Sequence, residues 1–280
     1  MPRIVIANEA GACFGVERAL EMVRSKAGSS EVPVHTLGPL IHNPVVVGEL
    51  NNSGVTVVDS PEQAARGDVL FLRTHGVPPQ VEARAHAAGL EVVDATCPFV
   101  KKVHVVVEKL QKEGYSVIVV GEAGHPEVEG TLGHAPGAAV VGTAAEARSV
   151  SVGRKVGLVV QTTLAETTLQ EVVAVLVGRC DELRVINTIC DATSKRQNAA
   201  AELARAADVM VVIGGRNSAN TTHLAQICSA ACKRTHHIEL VEELKATWFE
   251  GADLVGITAG ASTPAAHIDA VRDRVEDLLD

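Results

Sequence analysis

Short apolar runs alternate with polar, glycine-containing loops along the whole chain. Each run is rich in Val, Leu and Ile, and each leads directly into a loop that carries His, Asn, Ser or Thr. The runs occupy residues 34–37, 69–72, 117–120, 157–160, 209–213 and 254–257. An unbroken apolar run is typical of a strand that is buried on both faces of a parallel sheet. The pattern therefore predicts six parallel strands whose carboxyl ends lead into polar loops.

A helix is predicted directly after each of three cysteines. Apolar positions recur every three or four residues after Cys13, Cys97 and Cys190, as they do along one face of a helix. The three cysteines lie 84 and 93 residues apart, and two of the predicted strands follow each of them. This repeat predicts an α/β fold of three small modules, 1–95, 96–188 and 189–280, about a pseudo-threefold axis. The C-terminal tail could pack on the first module.

The composition limits both the core and the partner. Hydrophobic residues make up 46% of the 280-residue chain but aromatic residues only 2%, so we expect a core of small aliphatic side chains. A net charge of -9 without any block of Lys or Arg argues against nucleic acid and anionic membranes as partners. No apolar run approaches the ~20 residues of a membrane span, and no signal peptide is recognisable. We expect a soluble, cytoplasmic protein with a small-molecule partner.

The three cysteines at the helix starts are candidate metal ligands. A helix N-terminus carries partial positive charge and unpaired N–H groups, which favour the thiolate, and the thiolate is the form that binds metal. A threefold axis would bring Cys13, Cys97 and Cys190 together, and three thiolates suit a metal cluster better than a disulfide. No C-x-x-C pair is present, so the pattern leaves the metal open. Packing of the three thiols as small apolar groups is the alternative.

The remaining cysteines are expected to be structural. Cys228 and Cys232 lie four residues apart on a predicted helix with no third ligand nearby, so we expect them to pack in the core. Cys180 lies in a charged connection. All three are left out of the predicted site.

The loops at the strand ends carry donors that suit a diphosphate. Imidazoles, hydroxyls and amides at loop-to-helix junctions, with glycines that expose backbone N–H groups, are common phosphate-binding groups. Neither a Walker lysine motif nor G-x-G-x-x-G is present, which argues against the common nucleotide sites. The candidates are His42, Asn43, His75, His125, Glu127, Thr162, Thr163, Ser218, Asn220 and Ser262. The other histidines are expected to be surface or structural residues.

Glu127 is the one carboxylate among these candidates, two residues after His125 and next to Pro126. A carboxyl group buried beside an anion and a metal cluster should have a raised pKa and could deliver a proton. An acidic residue at the start of a helix can also serve only to cap that helix, and this is the alternative role.

Several segments carry a resemblance to a known family. They are Gly-Ala-Cys13-Phe-Gly-Val, Gly-Pro-Leu-Ile-His42-Asn, Thr-His75-Gly-Val, Asp-Ala-Thr-Cys97-Pro-Phe-Val, Gly-His125-Pro-Glu127-Val-Glu-Gly-Thr, Gln-Thr162-Thr-Leu, Ile-Cys190-Asp-Ala-Thr, Asn-Ser218-Ala-Asn220 and Thr-Ala-Gly-Ala-Ser262-Thr-Pro. Through them the chain resembles, nearly end to end, the LytB/IspH family of 4-hydroxy-3-methylbut-2-enyl diphosphate reductases. These enzymes catalyse the last step of the non-mevalonate isoprenoid pathway.

The resemblance implies a fold, a cofactor and a reaction. The fold would be a trefoil of three α/β modules around one 4Fe-4S cluster, with three irons held by Cys13, Cys97 and Cys190 and the fourth iron open for the substrate hydroxyl. The implied diphosphate ligands are His42, His75, His125, Thr162, Ser218, Asn220 and Ser262. The implied catalytic residues, which serve the substrate hydroxyl and its proton supply, are Glu127, His125, Thr162 and Thr163. The implied reaction adds two electrons and protons, expels water, and yields isopentenyl and dimethylallyl diphosphates.

The resemblance also implies a protein partner, and this chain departs from the family pattern at two positions. Ferredoxin or flavodoxin would donate the electrons, and a basic patch around Lys101 and Lys102 could receive the carrier. Ala12 stands where the family commonly has an aromatic residue. Ala219 replaces a serine, which removes one phosphate hydrogen bond and puts substrate affinity, but not reaction class, in question. From the residues alone, a zinc-dependent phosphohydrolase and a non-catalytic anion-binding module are the alternatives.

Overall fold

The computed structural model describes residues 2–279, which form twelve strands and ten α-helices. The strands are β1 (Arg3–Ile6), β2 (Val34–Leu37), β3 (Val55–Val58), β4 (Val69–Leu72), β5 (Glu91–Asp94), β6 (Ser116–Val120), β7 (Ala139–Val141), β8 (Lys155–Val160), β9 (Glu182–Val185), β10 (Val209–Ile213), β11 (Thr235–Ile238) and β12 (Leu254–Ala259). The helices are α1 (Phe14–Ser29), α2 (Pro44–Asn52), α3 (Pro79–Ala87), α4 (Pro98–Lys112), α5 (Pro126–His134), α6 (Ala144–Ser149), α7 (Glu166–Leu176), α8 (Asp191–Ala206), α9 (Ala219–Ala231) and α10 (Ala265–Leu279). Within residues 2–279, none of these helices has the length and apolar character needed to cross a membrane.

The strands form three parallel sheets of four strands each. Their orders are β3-β2-β4-β5, β7-β6-β8-β9 and β1-β12-β10-β11. All neighbouring strands run parallel. The six predicted strands are the two central strands of each sheet. The predicted α/β class is therefore confirmed. β1, which the prediction placed in the first module, pairs with β12 in the sheet of the third.

The chain divides into two compact units. The smaller unit contains Met1–Val16, His42–Val47 and Asp191–Asp280, and the larger unit contains Glu17–Ile41 and Gly48–Cys190. The β1-β12-β10-β11 sheet belongs to the smaller unit, and the other two sheets belong to the larger unit. The three-module division at residues 95 and 188 remains a prediction from the repeat.

Residues 117–120 of β6 and all residues of β10 are apolar because buried side chains pack against both faces of these strands. In β6, Val117 and Val119 pack with the apolar face of α4, whereas Ile118 and Val120 pack with the apolar face of α7. β10 shows the same alternation, since Val211 and Met210 belong to different clusters of buried side chains. Successive side chains of a strand point to opposite faces, so a strand covered on both sides needs apolar residues at every position.

Candidate functional site

Each of the three candidate metal ligands lies at the start of a helix. Cys13 directly precedes α1, Cys97 is the N-cap residue of α4 before Pro98, and Cys190 directly precedes α8. All three side chains are partly exposed, and the free N–H groups of the first helical turn follow each of them. A thiol in this setting can be reached by a metal and is electrostatically suited to bind it as the thiolate.

The same backbone hydrogen bond anchors each of these cysteines within its own unit. In every case the cysteine N–H donates to the carbonyl oxygen of the residue two positions after the end of a central strand. The pairs are Cys97 with Thr74 after β4 (3.0 Å), Cys190 with Thr162 after β8 (3.1 Å), and Cys13 with Ala261 after β12 (3.1 Å). The repeat noticed in the sequence is thus also a repeat of local geometry.

Two of the other cysteines are core residues, as predicted. The side chains of Cys228 and Cys232 are buried and pack with Met210, Val212 and Leu224. Burial raises the pKa of the Cys228 thiol to about 12, and the neighbouring Cys232 contributes in the same direction. A thiol that is neutral and enclosed in this way is unsuited to bind a metal or to act as a nucleophile.

His75 and His125 contact each other in the larger unit. Their ring centroids lie 5.5 Å apart and the ring planes are nearly perpendicular. His125 is the N-cap residue of α5, and its Nδ1 accepts a hydrogen bond from the backbone N–H of Glu127 at 3.1 Å. Because Nδ1 accepts, the neutral ring carries its proton on Nε2. Nε2 of His125 can therefore donate to an anion.

Glu127 is buried and bound at both carboxylate oxygens. Its side chain is 2% exposed. Oε1 accepts from the backbone N–H of Thr162 at 2.6 Å, and Oε2 accepts from Oγ1 of Thr162 at 2.7 Å. Burial raises the pKa of this carboxyl group to about 7, although both bonds from Thr162 lower it. His125 is the N-cap residue of α5, and Glu127 lies in the first turn with its carboxylate bound to Thr162, so a favourable charge at the helix start and a role in the site are compatible.

The neighbouring Thr163 is bound differently from Thr162. The side chain of Gln161, which is buried, donates from Nε2 to Oγ1 of Thr163 at 2.9 Å. Its Oε1 accepts from the backbone N–H of Glu122 at 2.9 Å. Thr162 thus donates to the Glu127 carboxylate, and Thr163 accepts from Gln161. Gln161 fixes the loop that precedes His125.

In the larger unit, the predicted residues form one continuous string of contacts. It begins at Cys97, whose N–H binds the carbonyl of Thr74, the neighbour of His75. It continues from His75 through His125 to Glu127. It then passes from the Glu127 carboxylate to Thr162, whose carbonyl accepts from the N–H of Cys190. These contacts thereby connect two candidate metal ligands, two imidazoles and a carboxyl group in space.

In the smaller unit, Asn43 joins two of the predicted diphosphate loops. Its Nδ2 donates to the carbonyl of Ser262 at 2.8 Å, and its Oδ1 accepts from the N–H of Val45 at 3.0 Å in the first turn of α2. Oγ of Ser262 in turn donates to the carbonyl of His42 at 3.2 Å. A Cβ at Gly215 would lie 2.6 Å from that same carbonyl oxygen. A side chain at position 215 would therefore clash with the His42 loop, and only glycine fits there.

Ser218 and Asn220 lie at the start of α9 in the same unit. Ser218 is the N-cap residue, and its Oγ accepts from the N–H of Thr221 at 3.4 Å. Asn220 is 5% exposed, and no group among residues 2–279 hydrogen-bonds either its Oδ1 or its Nδ2. A buried amide with unmet hydrogen bonds is uncommon unless another molecule supplies them. Ala219, between the two, places only a methyl group at the first position of the helix.

Arg196 is a residue of interest that the sequence analysis missed. It is 3% exposed on α8 of the smaller unit. Its guanidinium donates to the carbonyl of Gly11 at 2.8 Å and to that of Ala192 at 3.1 Å. Gly11 lies two residues before Cys13. A buried positive charge therefore stabilises the segment that carries one candidate ligand.

Similar proteins match almost the whole chain. Residues 4–276 match the family model described as LytB protein. A 4-hydroxy-3-methylbut-2-enyl diphosphate reductase of Geobacter sulfurreducens is 49% identical over 276 residues, which are 98% of this chain and 97% of the relative. A reductase of the same name from Aquifex aeolicus is 44% identical over 284 residues, covering 100% of this chain and 98% of the relative.

Two solved structures are also similar. One is the structure of (E)-4-hydroxy-3-methyl-but-2-enyl diphosphate reductase, the terminal enzyme of the non-mevalonate pathway. It is 45% identical, with a TM-score of 0.72 over 99% of this chain and 100% of that one. The other is the E-1-hydroxy-2-methyl-but-2-enyl-4-diphosphate reductase from Plasmodium falciparum. It is 27% identical, with a TM-score of 0.93 over 97% of this chain and 87% of that one.

Proposed function

Because the chain belongs to the LytB protein family, as the sequence indicated, we propose that it reduces 4-hydroxy-3-methylbut-2-enyl diphosphate to isopentenyl and dimethylallyl diphosphates. The reaction consumes two electrons and two protons and releases the allylic hydroxyl group as water. It is the last step of the non-mevalonate isoprenoid pathway. The comparisons support this oxidoreductase function and not the alternatives of a zinc-dependent phosphohydrolase or an anion-binding module.

The observation that carries the proposal is the string of contacts from Cys97 to Cys190. It combines two thiols at helix starts, two imidazoles and a buried carboxyl group with a raised pKa. Reduction of an allylic alcohol needs metal ligands, anion ligands and a proton donor close together. A carboxyl group with a pKa of about 7 is suited to donate a proton near neutral pH.

The family works with an iron–sulfur cluster. We assign Cys13, Cys97 and Cys190 as ligands of one 4Fe-4S cluster whose fourth iron has no protein ligand. The cysteines fit this cofactor, because each is partly exposed at a helix N-terminus, in contrast to the enclosed Cys228. When bound, such a cluster would supply electrons and an iron that polarises the carbon–oxygen bond of the substrate.

Glu127 and Thr162 would deliver the proton that turns the leaving hydroxyl group into water. With a pKa of about 7, the Glu127 carboxyl group is protonated in a large fraction of molecules at neutral pH. A proton on Oε2 would be donated to Oγ1 of Thr162, which lies 2.7 Å away. The Thr162 hydroxyl could then pass its own proton to the substrate. His125 and Thr163, the other predicted catalytic residues, would orient this pair through the adjacent loops.

The diphosphate would be held by neutral donors. The proposed ligands are His42, His75, His125, Thr162, Ser218, Asn220 and Ser262. Nε2 of His125 carries a proton when the ring is neutral, and the amide of Asn220 has unmet hydrogen bonds. Because the Oγ proton of Ser262 is given to the His42 carbonyl, this hydroxyl must rotate before it can donate to a phosphate oxygen. Fixing the diphosphate mainly orients the carbon skeleton.

An external carrier must supply the electrons, and we propose ferredoxin or flavodoxin for this role. A cytoplasmic location, where the thiols would stay reduced, remains a prediction from the sequence.

The test is turnover by protein that has been reconstituted anaerobically with iron and sulfide. We expect coloured protein that converts the allylic diphosphate into both products when a reduced dye supplies electrons. Colourless protein that contains zinc and releases inorganic phosphate from the same substrate would instead establish the phosphohydrolase. Colourless protein that binds the diphosphate without turnover would establish the anion-binding module.

A further inference from the structure

Helix α4, which begins one residue after Cys97, carries four exposed lysines on one face. The lysines are Lys101, Lys102, Lys109 and Lys112. Two exposed apolar side chains accompany them, with Phe99 44% and Val105 64% exposed. The buried face of α4, which includes Val103 and Val107, lies on the opposite side of the helix. We refer to the four lysines with Phe99 and Val105 as the α4 lysine face.

This face is unlike the exposed faces of the other two helices that follow a candidate cluster ligand. Glu108 is the one acidic residue of α4, and its partly exposed carboxylate pairs with His134 at 2.7 Å, not with a lysine. α1 exposes Glu17, Glu21 and Arg24, and α8 exposes Asp191, Lys195, Glu202 and Arg205. The exposed surface of α1 is therefore net acidic and that of α8 is neutral, whereas that of α4 is basic.

Part of the positive charge of the α4 lysine face is not neutralised by neighbouring residues. Lys101 pairs with Asp94 at 2.5 Å, and Lys109 lies 3.8 Å from Glu113. No carboxylate in the described part of the chain forms an ion pair with Lys102 or Lys112. These two lysines lie ten residues apart on one helix, or ~15 Å. Their charges make the electrostatic potential at this face positive, although the net charge of the chain is -9.

We propose that the α4 lysine face is the docking surface for an acidic electron-carrier protein. The inference rests on the proposed function, because that function requires electrons from outside. The chain as a whole repels an acidic partner, so productive encounter needs a local basic surface. The α4 lysine face is such a surface, and Cys97, a proposed cluster ligand, is the N-cap residue of the same helix.

The make-up of the face also fits a transient complex. Val105 lies among the lysines and Phe99 lies beside them at the start of the helix, so exposed apolar and charged side chains are combined as in protein interfaces. Complexes that transfer electrons bury little surface and dissociate easily, so a single helix face is large enough. Each docking event would oxidise the carrier by one electron and reduce the enzyme by one electron. Two events supply the pair of electrons that one turnover consumes with two protons.

The test compares two electron sources on the cluster-loaded enzyme and its variants Lys102→Glu and Lys112→Glu. The probes are a reduced ferredoxin of net negative charge and reduced methyl viologen, a small dye that needs no docking surface. For each variant we expect kcat/KM for ferredoxin to fall by about tenfold at low ionic strength. The difference between native and variant enzyme should disappear near 1 M salt, where the Debye length is about 3 Å. Dye-driven turnover should not fall.

Lys195→Glu is the matched control. Lys195 is exposed, has no ion pair among the described residues, and lies five residues after Cys190, so its substitution changes the charge equally near another proposed ligand. We expect ferredoxin-driven turnover within about twofold of the native value. An equal loss in Lys195→Glu, or none in Lys102→Glu and Lys112→Glu, would overturn the docking surface. Absence of dye-driven turnover in the native enzyme would instead reject the proposed function, and titration of ferredoxin binding would then test the docking surface independently.

Discussion

The Glu127 side chain is 2% exposed, and its pKa is raised to about 7 mainly because burial disfavours the charged carboxylate. Thr162 opposes this shift by donating to both oxygens. The balance leaves a carboxyl group that can both hold and release a proton near neutral pH, which is the requirement for general acid catalysis.

Turnover should therefore depend on pH through this group. A raised pKa favours the protonated acid, so the active form is abundant below pH 7 and is lost as the pH rises above about 7. We expect kcat, measured with reduced dye, to decrease above this pH. Glu127→Gln keeps the shape of the protonated acid but cannot release a proton, so kcat should fall by about 10² or more and its decrease above pH 7 should vanish. Native turnover in this variant, at equal iron content, would remove Glu127 from the mechanism.

Arg196 is a second single residue with a testable role. Its buried guanidinium donates to the carbonyl of Gly11, two residues before Cys13. A buried positive charge favours the more negative, reduced form of a nearby cluster. Arg196→Gln should shift the midpoint potential of the cluster to more negative values, and Arg196→Lys, which keeps the charge, should shift it less. A redox titration followed by electron paramagnetic resonance measures both. Equal potentials in all three proteins would limit Arg196 to a structural role.

The central strands of each sheet could be predicted from the sequence, whereas the edge strands could not. β6 and β10 are covered on both faces and read as unbroken apolar runs. β9, by contrast, reads Glu-Leu-Arg-Val and has exposed residues, because an edge strand is only partly covered. The pairing of β1 with β12 joins residues about 250 positions apart, and no local pattern indicates it.

The loops were also predictable as a set, but their mutual contacts were not. Strand ends in a parallel sheet meet at one edge, which is why His125 and Thr162 could be selected from the sequence. The bond between Glu127 and Thr162 depends on β6 and β8 being neighbours in the sheet order. Arg196 occupies the buried register of α8 with Thr193 and Ala200, a periodic signal that could have identified it.

At the start of α9, capping and ligand binding can be separated experimentally. The Ser218 cap bond is long, at 3.4 Å, so Ser218→Ala should cost about 1 kcal/mol of folding stability or less. A lost hydrogen bond to a charged phosphate is worth about 1.5 to 3 kcal/mol, so KM should rise by about tenfold or more. Thermal unfolding and steady-state kinetics with reduced dye measure the two effects. An unchanged KM with reduced stability would restrict Ser218 to the cap.

For the whole molecule, the proposed cluster would join ligands that are far apart along the chain. Binding of a cofactor to the folded state alone stabilises that state. Reconstitution should therefore raise the midpoint of thermal unfolding of the native protein, and Cys13→Ser, Cys97→Ser and Cys190→Ser should each lose this gain together with the visible colour. Cys228→Ser, in the core of the smaller unit, is the matched control. It should lower stability but keep both the colour and the gain on reconstitution.

The central claim is that three cysteines bind a 4Fe-4S cluster and leave one iron open for the substrate. Mössbauer spectroscopy of the protein reconstituted with iron-57 tests it most directly, with spectra recorded before and after addition of the allylic diphosphate. We predict three irons of similar signal and one distinct iron, whose signal alone shifts markedly when the substrate binds. Four equivalent irons that do not respond to the substrate would contradict the claim.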